Sequence, residues 1–336
     1  MPHSNISIFV PHIGCPCRCS FCNQFTITEQ IYVPHGDDVD KAVACAAASK
    51  RFDPENGEIA FFGGSFTAIN RDYMTELLSA AKKHIDAGKV MGIRISTRPD
   101  CINDEILTLL KDYGVTSIEL GAQSMRDSVL SANNRGHSAD DVYIAAELIK
   151  QYGFELGLQM MTGLYLDDDD GAIYTANEFV KIAPSTVRIY PTIVLENTEL
   201  AVKYKNGEYK PQTIESAVTL CARLLKIFEK VGIKVIRLGL HSIDNEKYVA
   251  GPWHPAFSEL CENKIYRDTI LKQLGNKGKY TVYVADGELS KAIGQKRSNI
   301  LYFADQGYDC KITVDNNLSP GCVRIEGSDQ HKTEIY

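Results

Sequence analysis

Four of the ten cysteines crowd into eight positions: Cys15, Cys17, Cys19 and Cys22, in the stretch GCPCRCSFC. In a reducing compartment, clustered cysteines serve metal or redox chemistry more often than disulfides. Cys15, Cys19 and Cys22 have the spacing CxxxCxxC. Three thiolates on one tight loop can hold three corners of a 4Fe–4S cluster, which normally takes four ligands. One iron is then open to a small ligand, as the free position of a catalytic zinc is open to water. A zinc site is the rival reading. It needs a fourth donor, and Cys17 and His12 are near in sequence.

Further residues able to do chemistry recur at the ends of apolar runs. Gly63 and Gly64 precede Ser65. Paired glycines let a ligand approach the backbone, or simply make a strand-to-helix turn. Ser96, Gln123 and Gln159 supply a hydroxyl and two amides able to donate and accept. Arg135, in Asn134-Arg135-Gly136-His137, offers a fork suited to a carboxylate, or is a solvated arginine near a helix start. Tyr190 faces a substrate, or is a core tyrosine with a satisfied hydroxyl. His137 reads as a capping or structural residue. The carboxylates Asp167–Asp170 read as a solvated loop and helix start favoured by the helix dipole.

The elements that must position these residues alternate. Strand-like runs are Ile6–Val10, Glu58–Phe62, Gly92–Ser96, Ser117–Leu120, Phe154–Met160 and Val187–Tyr190. Helical patterns lie between them: Asp38–Ser49, Asp72–Asp86, Asp104–Asp112, Ala139–Gln151 and Ala172–Ile182, with Thr213–Lys230 after the sixth strand. Such alternation reads as βαβ units around a parallel sheet. Six units predict an α/β fold, a partial TIM-like (βα)6 barrel with its function at the C-terminal ends of the strands. The cysteine loop follows the first strand, at that end.

Glycine and two prolines in Gly251-Pro252-Trp253-His254-Pro255 punctuate the chain. The expected division is a barrel over 1–250, a helical connection over 251–275 and a small α/β domain over 276–336. That domain reads as strand Thr281–Val284, helix Gly287–Ile293, a loop, a helix from Ser298 to about Asp305, and strand Asp309–Val314. From Gly327 the chain is polar and is expected to fray.

The cysteine loop and the strand ends together resemble the radical S-adenosylmethionine (SAM) superfamily. In that family SAM chelates the open iron through its amino and carboxylate groups. One electron splits the sulfonium into methionine and a 5′-deoxyadenosyl radical, which takes a hydrogen atom from the substrate. The cofactor carries the chemistry, and the protein positions it and excludes water. The resemblance implies Cys15, Cys19 and Cys22 as cluster ligands, with Cys17 a spare. It puts Phe21 near the adenine and Gly63, Gly64 and Ser65 at the SAM amine. Ser96 stands where relatives often carry a glutamate for that amine. Gln123 falls in the family's GxQS strand end, and Arg135 matches an arginine that pairs with the SAM carboxylate. Gln159 stands where an aspartate commonly holds the ribose. A reducing electron donor of flavodoxin or ferredoxin type is implied as partner.

The segment VRIYPTIVLENTEL, residues 187–200, closely resembles the catalytic subunit of Elongator, as does Tyr204–Pro211. Elongator modifies the wobble uridine of tRNA with acetyl-CoA bound in a C-terminal acetyltransferase domain. This chain has the shorter cysteine spacing and no room for that domain after residue 250, so acetyl-CoA is not expected. Near the C-terminus, Ile293–Ile300 resembles the GXXG signature of KH domains, a helix–loop–helix that clamps a nucleic-acid backbone. Gly294 holds the first glycine position and Arg297 the second, so Lys296 and Arg297 would contact phosphate by charge.

Composition bounds the rest. With 44% hydrophobic and 24% charged residues, neither disorder nor a coiled coil is indicated. No apolar run approaches the roughly 20 residues of a membrane span. The N-terminal stretch lacks the features of a signal peptide, so a cytoplasmic address is expected. The net charge of −7 gives the whole chain no nucleic-acid signature, and RNA would need a local basic face. The remaining cysteines, Cys45, Cys101, Cys221, Cys261, Cys310 and Cys322, read mostly as core thiols. The leading expectation is a radical SAM enzyme modifying a tRNA-like RNA. The alternatives are a radical SAM enzyme for a small molecule or peptide, and a non-catalytic, metal-stabilised RNA-binding protein.

Overall fold

A computed structural model describes residues 4–10, 15, 17–22, 32–240, 246–327 and 330–335, the last six in backbone only. His12 lies outside the described residues. The chain divides into two compact units, one of Met1–Gln212, Phe228–Arg237 and Ser242–Pro252, the other of Thr213–Ile227, Leu238–His241 and Trp253–Tyr336.

The first unit opens with β1 (Ser4–Val10), α1 (Gly36–Ala47), β2 (Gly57–Gly63), α2 (Arg71–Asp86), β3 (Gly92–Thr97) and α3 (Asp104–Asp112). It continues with β4 (Val115–Gln123), α4 (Asp127–Ala132), α5 (Ala139–Gln151), β5 (Glu155–Thr162), α6 (Asp169–Ile182) and β6 (Thr186–Pro191). Next come β7 (Val194–Leu195), α7 (Glu199–Lys205), α8 (Ile214–Lys230), most of which belongs to the second unit, β8 (Lys234–Leu238) and β9 (Tyr248–Ala250). The strands form a curled half-barrel in the order β1-β2-β3-β4-β5-β6-β8, and β1 to β6 pair in parallel. All six expected strands are present. The seventh, β8, was not read from the sequence, where Lys234 and Arg237 interrupt a short apolar run.

Helix starts follow local chemistry. Asn70 caps α2, Asn103 caps α3, and Ser138 forms a capping box with Asp141 on α5. Asp168 caps α6 by accepting from the Gly171 N–H, so one of the four consecutive aspartates has a structural task.

The strands alternate strictly. Ile6, Ile8, Ile59, Phe61, Ile93, Ile95, Ile118, Leu120, Leu156, Leu158, Val187 and Ile189 are buried on one face. Burying such a side chain contributes roughly 1.5–3 kcal/mol. The opposite, concave face is polar and ionic. Arg94 Nε donates to Glu58 at 2.8 Å, Nη1 to Glu119 at 3.4 Å and Nη2 to Glu155 at 3.3 Å. Arg188 Nη2 donates to Glu119 at 2.8 Å, and its guanidinium stacks 4.9 Å from the centre of the Phe62 ring. Ser117 Oγ lies 3.1 Å from a Glu58 oxygen and 3.0 Å from a Glu155 oxygen, and its one proton serves either. Buried charge is tolerated only when paired in this way.

The second unit contains α9 (Phe257–Gln273), β10 (Lys279–Val284), α10 (Leu289–Ile293), a 3₁₀ turn (Gln295–Arg297), α11 (Ser298–Asp305), β11 (Asp309–Val314), β12 (Cys322–Gly327) and β13 (Gln330–Ile335). Its sheet runs β11-β10-β12-β13, with β10 and β11 parallel and β12 antiparallel to both neighbours. Tyr266, Ile270, Val282, Val284, Phe303, Val323 and Ile325 fill its core. Glu288, buried beneath, accepts from the Tyr266 hydroxyl and, at 2.6 Å, from the Gly321 N–H. The polar end of the chain, expected to fray, instead adds an edge strand, a place where polar residues are tolerated. Cys221, Cys261, Cys310 and Cys322 are core thiols, whereas Cys45 is exposed and Cys101 only half-buried.

Candidate functional site

The cysteine loop is held from three sides. The main-chain N–H of Ser65, past the end of β2, donates to the Cys15 sulfur. Arg135 Nη1 donates to Cys19 Sγ at 3.1 Å. Ser20 Oγ donates to Asn133 Oδ1 at 2.8 Å, its N–H donates to the Asn133 carbonyl at 3.1 Å, and its carbonyl accepts from Leu200 N–H at 2.8 Å. Phe21 packs against the cluster of Val194, Leu200, Ala201 and Tyr209. Short polar links therefore tie the loop to β2, to the turn after α4 and to α7.

Three of the four sulfurs share an environment. Burial pushes the Cys22 thiol up to about 12, with Cys19 and Cys15 adding to the effect. Burial likewise raises Cys15, assisted by Cys19, against the Ser65 N–H and the Arg98 and Arg135 charges. Half-buried thiols that oppose one another's ionisation are what a cationic iron–sulfur core would relieve by drawing the protons off. Cys17 points elsewhere: Arg98 Nη2 lies 3.9 Å from its sulfur, and Gly136 packs against it. Among the described residues, no three Cys, His, Asp or Glu side chains converge on a position for a single metal ion. Three mutually interacting thiols on one loop are the soft donor set that a cluster takes.

The strand ends supply the surroundings. Gly63 has φ +125°, and a Cβ there would lie 2.1 Å from the Val10 carbonyl and 2.9 Å from the Phe9 ring. Contact with β1 therefore already requires this glycine, a cause that the sequence did not reveal. The Gly64 N–H donates to the same Val10 carbonyl at 3.1 Å. Ser65 is 2% exposed, and its hydroxyl is engaged by Thr97 Oγ1 at 2.8 Å and by the Arg98 N–H at 3.3 Å. What Ser65 presents to the loop is its backbone.

Ser96, Gln159 and Tyr190 are half-buried on the concave face, and strand register carries them there from β3, β5 and β6. Gln123 ends β4 at φ 68° and accepts from Gln159 Nε2 at 3.3 Å, so the two amides lie side by side. Tyr190 is hydrogen-bonded to the Arg188 side chain. Arg135 is 6% exposed, and its Nη2 donates to the Gly121 carbonyl. His137 Nε2–H donates to the Ala122 carbonyl at 3.1 Å, and burial, then the Arg135 charge, push its pKa down to about 4. It is a neutral structural histidine.

Sequence reasoning gave no role to Arg98, Thr97, Thr67 or Asn133. Arg98 forms a two-pronged pair with Asp100 at 2.9 and 2.7 Å, while Thr67 Oγ1 bonds Thr97 Oγ1 at 2.6 Å. For Thr97 and Arg98 the available signal was the Thr97-Arg98-Pro99-Asp100 run at the end of β3.

In the second unit, Gly294 has φ 79°, and a Cβ there would meet Ser298 Oγ at 2.5 Å. Lys296 and Arg297 both adopt left-handed backbone, at φ 52° and 63°, with exposed side chains. Arg297 thus occupies the conformation that glycine favours, without being glycine.

Residues 9–176 match the family model of the radical SAM superfamily, and residues 184–267 that of the radical SAM C-terminal domain. The chain belongs to the radical SAM superfamily. It is accordingly an enzyme of the radical SAM class, and membership implies a 4Fe–4S cluster and SAM. A tRNA uridine(34) acetyltransferase of Dehalococcoides mccartyi is 26% identical over 239 residues, 61% of this chain and 52% of that protein. The chain therefore spans about half the length of this curated relative. An uncharacterized protein of Methanocaldococcus jannaschii is 26% identical over 275 residues, 80% of each chain. Among solved structures, an archaeal Elp3 from Methanocaldococcus infernus superposes with a TM-score of 0.65 at 22% identity, covering 82% of this chain and 65% of that one, and so shares the fold. Among the described residues, no helix is long and apolar enough to cross a membrane.

Proposed function

We propose that this radical SAM enzyme binds a 4Fe–4S cluster through Cys15, Cys19 and Cys22, cleaves SAM reductively, and modifies an RNA of the tRNA type. When bound, the cluster and SAM supply a one-electron cleavage of the sulfonium and, through it, hydrogen-atom abstraction. The chain's own residues do the rest. Ser65 N–H and Arg135 steady two of the three sulfurs. The paired amides of Gln123 and Gln159, with Ser96, present donors and acceptors to the polar parts of SAM, beside the Gly63-Gly64 turn. Phe21 offers an apolar face towards the adenine. The Arg94 and Arg188 ion pairs fill part of the concave face with fixed dipoles in place of loose water.

The observation that carries the RNA reading is the alignment, over 61% of this chain, with an enzyme named for tRNA uridine modification. The exposed Lys296–Arg297 turn supports it. Acetyl transfer is not part of the proposal, because the alignment takes in 52% of that relative. A reducing donor of flavodoxin or ferredoxin type and a cytoplasmic setting belong to the same reading.

The test is RNA binding by the full chain, with mass spectrometry of RNA nucleosides from a deletion strain. Replacing Lys296 and Arg297 by alanine should weaken binding of total tRNA about tenfold, or 1.4 kcal/mol. Unchanged affinity and an unaltered nucleoside profile would turn the reading towards a small-molecule or peptide substrate.

A further inference from the structure

The resemblance assigns Arg135 to the carboxylate of SAM, but two of its five N–H donors are already engaged within the protein. Nη1 donates to Cys19 Sγ at 3.1 Å and Nη2 to the Gly121 carbonyl, so both terminal nitrogens face the protein. Nε has no partner and is buried, and each terminal nitrogen keeps a second N–H. Several features hold the side chain there. The Arg135 N–H donates to the Leu130 carbonyl at 3.0 Å. Gly121 presents no Cβ, whose position would lie 3.5 Å from Arg135 Nη2 and 3.0 Å from Gln123 Nε2. The left-handed turn at Gln123 ends the strand beside it.

The three sulfurs are therefore treated unequally. Cys15 takes a neutral main-chain N–H, and Cys19 takes a buried cation. Reducing an iron–sulfur cluster adds negative charge that spreads onto its thiolates. A donor to one of those sulfurs is then worth more in the reduced state, and it raises the reduction potential. Arg135 is 6% exposed, so its charge acts through protein more than water and is weakly screened by salt.

We infer that Arg135 is a positioning residue that sets the reduction potential of the cluster through Cys19, and is not the clamp for the cofactor carboxylate. This rests on the cluster reading above.

The experiment uses the full chain, reconstituted anaerobically, with iron and sulfide measured first. Redox titration is followed by electron paramagnetic resonance without SAM, for wild type, Arg135→Gln and Arg135→Lys. The glutamine variant should lower the equilibrium constant for reduction about tenfold, which is 59 mV for one electron. Lysine, keeping the charge, should recover much of that shift. In wild type labelled with ¹⁵N-arginine, pulsed spectra of the reduced cluster should show coupling to arginine nitrogen. A chain without iron and sulfide refutes the cofactor reading. A loaded cluster with an unmoved midpoint, alongside weakened SAM binding, refutes the role given to Arg135. Absence of ¹⁵N coupling in wild type refutes it even if neither variant folds.

Discussion

Replacing Gly136 by alanine tests how the segment after α4 meets the cysteine loop. Gly136 has φ +71°, and a Cβ there would lie 2.5 Å from Cys17 Sγ, 3.3 Å from Arg98 Nη2 and 3.7 Å from Cys17 Cβ. Left-handed backbone costs alanine about 1–2 kcal/mol. Forcing the sulfur aside adds about 1–3 kcal/mol, the usual range for overpacking. Gly136→Ala alone should therefore destabilise by about 2–5 kcal/mol. Removing the sulfur leaves the Cys17 Cβ at ordinary contact distance, so in a Cys17→Ala background the backbone cost and the close approach of Arg98 Nη2 should remain. The double-mutant cycle should give a coupling of about 1–3 kcal/mol, read from urea unfolding of the four proteins. Cys17→Ala alone should leave iron and sulfide content unchanged, since that thiol lies against Arg98 and Gly136. Additivity to within about 0.5 kcal/mol would refute the packing argument. Loss of the cluster in Cys17→Ala would refute the choice of three ligands.

Two further predictions concern buried charge. Arg94→Met would remove the buried cation shared by Glu58 and Glu119, leaving Glu119 its Arg188 partner and Glu58 its hydroxyl donors, and should cost about 3–5 kcal/mol in urea unfolding. A cost under 1 kcal/mol would mean that the ionic face is not held as described. The Asp167 carboxyl is buried, and burial raises its pKa to about 6 against the Asp168 N–H and the Arg126 charge 3.9 Å away. The folded state thus binds this proton more tightly than the unfolded chain, so ionisation at neutral pH destabilises the fold. Asp167→Asn should raise stability at pH 7 by about 1–3 kcal/mol. The gain should fade as pH drops from 6 to 3.8 and vanish below 3.8, where the wild-type carboxyl is protonated in both states. A variant less stable than wild type at pH 7 would contradict this.

The architecture was legible where it is written locally. The apolar runs of β1 to β6 and the helices between them keep a period that survives in sequence, and CxxxCxxC is a short-range pattern. The ionic face was not legible. Glu58, Arg94, Glu119 and Arg188 sit at alternate positions within apolar runs, and their partners lie on other strands. Arg135 and Cys19 are 116 positions apart, so only the fold brings them together. Gly63 was read for ligand approach, whereas contact with β1 supplies a sufficient reason for it. Asp167–Asp170 read as one solvated run. The structure divides it into a buried carboxyl at Asp167, a helix cap at Asp168 and two exposed carboxylates.

The most direct test of the account is reductive SAM turnover by the anaerobically reconstituted chain, with 5′-deoxyadenosine and methionine measured by mass spectrometry. The account predicts both products from the wild-type protein under strong reductant, and neither from Cys19→Ala. Zinc in the loop, or an iron–sulfur protein that leaves SAM intact, would contradict it.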